Sequence, residues 1–190
     1  MSKTPAPGQV RIIAGQWRGR KLPVLALPGL RPTPDRLRET LFNWLMPMLP
    51  GAHCLDLFAG SGALGLEAAS RGAASVLLIE QQAQSVTQLR NNIRTLNAPQ
   101  LTVQQADALA FLQGPAQPFD LVFVDPPFQQ NLLAPVCEAL EQRHWLRPTA
   151  WIYLEMEKNL AMSWPSTWTL LREQHSREIR SCLLRRDATL

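Results

Sequence analysis

The sequence predicts an α/β chain: a doubly wound, mostly parallel sheet of seven strands, with helices on both faces and a small β-hairpin extension at the N-terminal end. Three observations lead there. Short apolar runs recur after residue 52, at 54–57, 76–79, 101–103, 119–124 and 151–154. Segments with apolar residues at helical spacing separate them, such as Val86, Leu89, Ile93 and Leu96. Strands that are apolar at nearly every position and alternate with helices imply a parallel sheet covered on both sides.

Taken in order, residues 9–27 read as a hairpin with Gly15 and Gly19 as turn points between apolar and basic positions. Thr33, Pro34 and Asp35 form a helix start of N-cap, first-turn proline and acid, and the helix should run to about Met46, ahead of Pro47. Leu37, Leu41, Trp44, Leu45 and Met48 are its expected buried stripe. Further helices are expected at 64–71, around 86–96, at 108–112 and at 132–140, and residues 167–186 should close the sheet as two strands turning near Ser176. The division expected is a basic N-terminal arm over residues 1–30 and an α/β domain over 31–190.

Composition narrows the class. Hydrophobic residues make up 46% of the 190 and charged residues 18%, values that support a packed core rather than disorder. No signal peptide and no apolar stretch of membrane-spanning length is read. Cys54, Cys137 and Cys182 lie far apart, which points to a reducing cytoplasm with neither a disulfide framework nor a metal site. His53, His144 and His175 are scattered and read as surface or packing residues. Charge is uneven: residues 1–40 hold eight Lys/Arg against two acids, while the rest holds eleven against thirteen. A basic end on a nearly neutral body is the footprint of a polyanion-binding arm. The bland alternative is a solvated tail, but Val10, Ile12, Ile13, Trp17, Leu22, Val24 and Leu25 interleave with the cations and need something to bury them.

Two stretches carry chemistry. Asp125-Pro126-Pro127-Phe128 follows directly on the apolar run that ends at Val124. Its prolines remove two N–H donors and fix φ, leaving a carboxylate and backbone carbonyls as acceptors beside an aromatic face. That set suits a planar base bearing an NH2 group; alone, it fits a Pro-rich turn equally well. Upstream, Gly60, Gly62 and Gly65 satisfy G-x-G-x-x-G at a strand-to-helix turn, and Glu80 ends the next strand where it can accept from ribose hydroxyls. A dinucleotide enzyme would share both features. Asp56, four residues before the first glycine, would repel a pyrophosphate and favour a cationic amino-acid ligand, S-adenosylmethionine. Asp107 either takes a donor from an adenine amine or caps the next helix, and the two roles are compatible.

These motifs, in order, resemble those of class I S-adenosylmethionine-dependent methyltransferases acting on exocyclic amines, with their Rossmann-like sheet. With Arg11-Ile12-Ile13-Ala14-Gly15, Arg18-Gly19-Arg20 and Arg31-Pro32-Thr33 through Leu41-Phe42, the chain resembles the RsmD family of bacterial 16S ribosomal RNA (guanine-N2)-methyltransferases over nearly its whole length. Gln82 stands two residues after the ribose-binding Glu, where relatives often carry an acid or amide. The reading assigns Asp125, Pro126, Pro127 and Phe128 to catalysis. Asp56, Phe58, Ala59, Gly60, Ser61, Gly62, Glu80, Asp107 and Ala108 are assigned to the cofactor. Arg11, Arg18, Arg20, Lys21, Arg31, Arg36 and Arg38 are assigned to RNA. The resemblance implies 16S rRNA as partner, in a small-subunit assembly intermediate, and a cytoplasmic monomer. The rivals are a DNA adenine-N6 methyltransferase, a protein glutamine methyltransferase and a non-catalytic RNA-binding assembly factor. Guanine over adenine rests on the resemblance alone.

Overall fold

A computed structural model describes residues 8–25 and 35–187. Arg31, Thr33 and Pro34, and with them the expected helix cap, lie outside the described residues. The elements are β1 (Gly8–Arg11), β2 (Lys21–Val24), α1 (Asp35–Leu45), β3 (His53–Asp56), α2 (Ala63–Ser70), β4 (Ser75–Glu80), α3 (Ala83–Leu96), β5 (Leu101–Gln105), α4 (Ala108–Leu112), β6 (Phe119–Val124), α5 (Leu133–Gln142), β7 (Leu146–Glu157), β8 (Trp168–His175) and β9 (Ile179–Arg186). β1 and β2 pair antiparallel as the expected hairpin. The other seven strands form one sheet in the order β5-β4-β3-β6-β7-β9-β8. Its first five members are parallel, and β9 and β8 add antiparallel. The chain winds outward from β3 through β4 to β5, then returns to place β6 on the other side of β3, so the topological switch point lies between β3 and β6.

Alternation along the strands divides the core. Cys54, Phe123, Tyr153 and Leu183 face a layer shared with α1, α2, α3 and the hairpin. Leu55, Val122, Ile152 and Leu184 face α4 and α5. At β7 the strand extends well past the expected 151–154, in both directions. Pairing with β9 continues to Glu157, opposite Ile179, so the strand runs on as long as it has a partner. Among the described residues no helix is long and apolar enough to cross a membrane.

The hairpin is bolted to α2 by a polar cluster. Glu67, fully buried, accepts from the backbone N–H groups of Ile13 (2.7 Å) and Ala14 (3.0 Å) and from Arg71 Nε (2.7 Å). Ser70 accepts from Trp17 N at 3.0 Å and donates to the Ala14 carbonyl at 2.6 Å. Gly15 (φ 82°) allows this contact, because a Cβ there would lie 1.9 Å from the Ser70 carbonyl oxygen.

Arg38 belongs to the same cluster, which corrects its expected place among the RNA-contacting cations. Its side chain is only 2% exposed; Nη2 donates to the Arg11 carbonyl (2.9 Å) and Asp35 (2.6 Å), and Nη1 lies 3.8 Å from Glu67. The buried stripe of α1 is therefore Arg38, Leu41, Phe42 and Leu45, while Leu37, Trp44 and Met48 are half-buried. The helix is turned by about one residue from the purely apolar expectation, and the face so exposed to the core brings Arg38 to Asp35, the Arg11 carbonyl and the neighbourhood of Glu67.

Candidate active site

The C-terminal edge of the parallel strands carries a row of acids: Asp107 just after β5, Glu80 ending β4, Asp56 ending β3, Asp125 just after β6, and Glu155 within β7. Open α/β sheets bind ligands at this edge, at the switch point. Here that point lies between Asp56 and Asp125.

The glycine turn is held from below by two of these acids. Asp56, 1% exposed, accepts from Gly65 N at 3.1 Å through Oδ2, supplying a partner for a first-turn amide of α2. Its Oδ1 is buried without a hydrogen-bond partner among the described residues. Burial pushes the Asp56 carboxyl up to about 7; the Gly65 and Phe58 amides offset part of this, and Glu80 adds repulsion. Glu80 accepts from Gly60 N (2.8 Å) and Gln82 N (2.7 Å), tying the glycine turn to the end of β4. Gly62 adopts φ 78°, and a Cβ on Gly65 would lie 2.2 Å from Leu78 Cδ2, so α2 closes tightly on β4. Phe58, Gly60 and Ser61 are half-buried, and Ala59 and Gly62 are buried. Asp107 caps α4 by accepting from Ala110 N at 2.9 Å, with Ala108 buried behind it.

The residues suit a cationic ligand with a ribose. Asp56 Oδ1, without a hydrogen-bond partner among the described residues, has room for a positive donor, and Glu80 has acceptor capacity beyond its two amide bonds. Asp56, Glu80, Asp107 and the Phe58–Gly62 turn are the residues that would hold S-adenosylmethionine.

Asp125 sits half-buried across the switch point from Asp56. Burial pushes its carboxyl well above the usual range, with further repulsion from Glu155 and then Asp56. Glu155, 2% exposed, accepts from the Tyr153 hydroxyl at 2.7 Å, and burial raises the Tyr153 hydroxyl in turn. Pro126 is buried, Pro127 is exposed and Phe128 is half-buried. Beside them opens a cleft of ≈260 Å³, walled by Phe128, Met156, Leu160 and Met162, with Glu155 and Glu157 as polar members. Glu157 accepts from Gln129 N at 3.0 Å, and Gln129 (φ 64°) and Asn131 (φ 51°) both adopt the left-handed backbone region. Such conformations concentrate at functional loops.

Sequence reasoning passed over Tyr153, Glu155 and Glu157. The available signal was a pair of acids two apart, Glu155 and Glu157, continuing an otherwise apolar strand. Among the described residues no group of His, Cys, Asp or Glu is arranged to hold a metal ion. Burial pushes the Cys54 and Cys137 thiols up to about 12, which makes them poor nucleophiles.

The expected basic residues split between locations. Arg18, Arg20 and Lys21 are exposed, as are Arg11 and Arg36. The turn before Arg18 packs on Ser70 at the C-terminal end of α2, and Arg20 donates to the Thr95 carbonyl near the end of α3. Both helices begin at the acid-bearing edge, so the hairpin tip lies at the opposite edge, about 12 Å away along α2 by helix rise. Arg11 Nε and Nη2 pair with Asp35, each at 3.2 Å.

Known proteins share this architecture. A family model described as Conserved hypothetical protein 95 matches residues 10–185. Ribosomal RNA small subunit methyltransferase D of Escherichia coli K12 is 50% identical over 182 residues, 95% of this chain and 92% of the relative. The protein of the same name from Haemophilus influenzae is 51% identical over 177 residues, covering 90% and 92%. The solved structure of yhhF from Escherichia coli is 50% identical, with a TM-score of 0.89, over 96% of this chain and 100% of that one. By model match and by identity over nearly its full length, the chain belongs to the family of the ribosomal RNA small subunit methyltransferases D.

Proposed function

We propose that the protein transfers a methyl group from S-adenosylmethionine to the exocyclic N2 of a specific guanosine in 16S rRNA of the small ribosomal subunit. The observation that carries the reading is the pair Asp56 and Asp125 at the ends of neighbouring strands β3 and β6 on either side of the switch point, one beneath the glycine turn and one heading the Pro-Pro-Phe segment. When bound, S-adenosylmethionine supplies an electrophilic methyl group on a sulfonium. The chain's own residues orient the acceptor. A guanine N2 amine is a weak nucleophile because its lone pair is delocalised into the ring. Hydrogen bonds from the amine to the Asp125 carboxylate and the Pro126 carbonyl would hold it and favour rehybridisation, and Phe128 would stack on the base. Base–aromatic stacking is worth on the order of 1–3 kcal/mol. Asp125, with its raised proton affinity, is suited to take the proton the amine must lose. A stacked or paired base has to be extruded to enter the cleft, which favours loop or single-stranded targets.

The exposed Arg11, Arg18, Arg20, Lys21 and Arg36 would contact phosphates, making the hairpin the RNA-binding arm of a catalytic domain. With the tip at the far edge, the RNA has to reach from one edge of the sheet to the other, which suits a large folded partner such as an assembly intermediate of the small subunit. Among the described residues only Met46 and Leu170 are large exposed hydrophobics, which supports action as a monomer. The test is methyl transfer from labelled S-adenosylmethionine to naked 16S RNA, small subunits, DNA and protein, followed by nucleoside analysis. N2-methylguanosine is the expected product; label in DNA or protein alone would overturn the reading.

A further inference from the structure

Building on the guanine reading above, we propose that Glu157 reads the N1–H of the target guanine and thereby excludes adenine. The register Val124↔Leu154 places Glu155 opposite Asp125, and Glu157 two residues farther along β7, roughly 7 Å on. Alternation along β7 puts Glu155 and Glu157 on the same face. Their surroundings separate their roles. Glu155 is buried against the Tyr153 hydroxyl and raises the proton affinity of Asp125, so it belongs to the support of that residue. Glu157 is half-buried and lines the ≈260 Å³ cleft beside Phe128. Its bond from Gln129 N at 3.0 Å fixes the carboxylate in place and uses one of about four acceptor positions. The same bond anchors the loop of Gln129 and Asn131, whose left-handed backbone persists only where surroundings over-determine it.

The base chemistry matches two acceptors in line. Guanine presents the N2 amine and the N1–H side by side on one edge, both donors. Adenine presents its N6 amine beside N1, a lone pair. With the amine held at Asp125, a carboxylate next along the edge accepts from guanine N1–H and repels adenine N1. The Asp-Pro-Pro-Phe segment, whose acceptors serve either amine, cannot make this choice.

The test uses RNA carrying 2-aminopurine at the target position, which keeps the N2 amine but has a lone pair at N1. The intact enzyme should methylate guanosine RNA with kcat/KM roughly 10- to 100-fold above the 2-aminopurine RNA, the range expected for one hydrogen bond to a charged group. Glu157→Ala should bring the two substrates to within about threefold of each other by deleting that hydrogen bond. Glu157→Gln can still accept from Gln129 N while turning its NH2 toward N1, so it should equalise or reverse the preference. S-Adenosylmethionine titration verifies that both variants are folded. An unchanged ratio in Glu157→Ala, with both substrates slowed equally, would show that Glu157 only braces the loop and would overturn the proposal; so would an intact enzyme indifferent to 2-aminopurine. Absence of any methyl transfer to guanosine RNA by the intact enzyme would instead refute the function proposed above.

Discussion

Glu67 and Asp56 are both buried carboxylates on the same side of the sheet, yet they stand in opposite conditions. Glu67 takes two backbone amides and Arg71 as donors, with Arg38 close by. Asp56 has one oxygen without a hydrogen-bond partner among the described residues, and repulsion from Glu80 on top of burial. A saturated carboxylate holds structure together, whereas one with spare acceptor capacity at the edge where open α/β sheets bind ligands is free to take a further donor. Burial alone therefore does not mark a functional acid; the inventory of its partners does.

The strongest way to break the contrast is Glu67→Ala. It leaves Arg38 buried beside no acid except Asp35 and releases the Ile13 and Ala14 amides, so a loss of about 3–5 kcal/mol is expected. Thermal and urea unfolding should both report it, and a loss below about 1 kcal/mol, the worth of an exposed pair, would show that the cluster is not structural. Asp125→Ala should do the reverse: no loss of stability, because a carboxyl raised by burial destabilises the fold once ionised, cofactor affinity nearly unchanged, and kcat lowered by roughly 10²- to 10⁴-fold. Normal turnover in that variant would remove Asp125 from the mechanism.

Asp56→Asn sharpens the comparison through pH. The folded-state value of about 7 lies above the ordinary 3.8, so the folded protein holds a proton that the unfolded chain releases. Stability from this group is full below about pH 4 and is lost as pH rises through about 7. Asp56→Asn should flatten that decline, with a gain on the order of 2–4 kcal/mol at pH 8 and little change at pH 4. Urea denaturation at the two pH values measures it, and parallel curves for variant and parent would contradict the burial account. Cofactor affinity should fall in the same variant, because the receptor charge is gone.

The smallest effect is expected at the hairpin tip. Neutralising Arg18, Arg20 and Lys21 should reduce the salt slope of RNA binding by about 2, at roughly 0.7 per single-strand phosphate contact. Because the tip lies at the edge away from Asp125, the loss should appear with full-length 16S RNA and be absent with a short target hairpin. Equal losses on both would place the RNA path elsewhere.

Much of this was legible in the chain because the signals are local. Strand cores such as Leu121–Val124, the glycine turn and the Pro-Pro segment declare themselves through neighbours in sequence, and their edges were off by a residue or a few. Arg38 was not legible. Its spacing from Leu41, Phe42 and Leu45 matches a buried stripe, but a cation on that stripe is unreadable until Glu67, on another helix, is known to face it. Glu155 and Glu157 were hidden for a related reason: β7 extends to them because β9 pairs that far, a contact between segments more than twenty residues apart.

By itself, then, the sequence determined the order of strands and helices, the glycine turn, the Asp-Pro-Pro-Phe segment and the basic character of the first forty residues. Each of these depends on spacing along the chain, which propensity and periodicity express directly. The tertiary structure decided which acids are satisfied, which cation is buried, that the hairpin tip points away from the reactive edge, and that Glu157 borders the cleft. Those depend on what other elements bring alongside, since a buried charge takes its role from its partners and its partners come from distant parts of the chain.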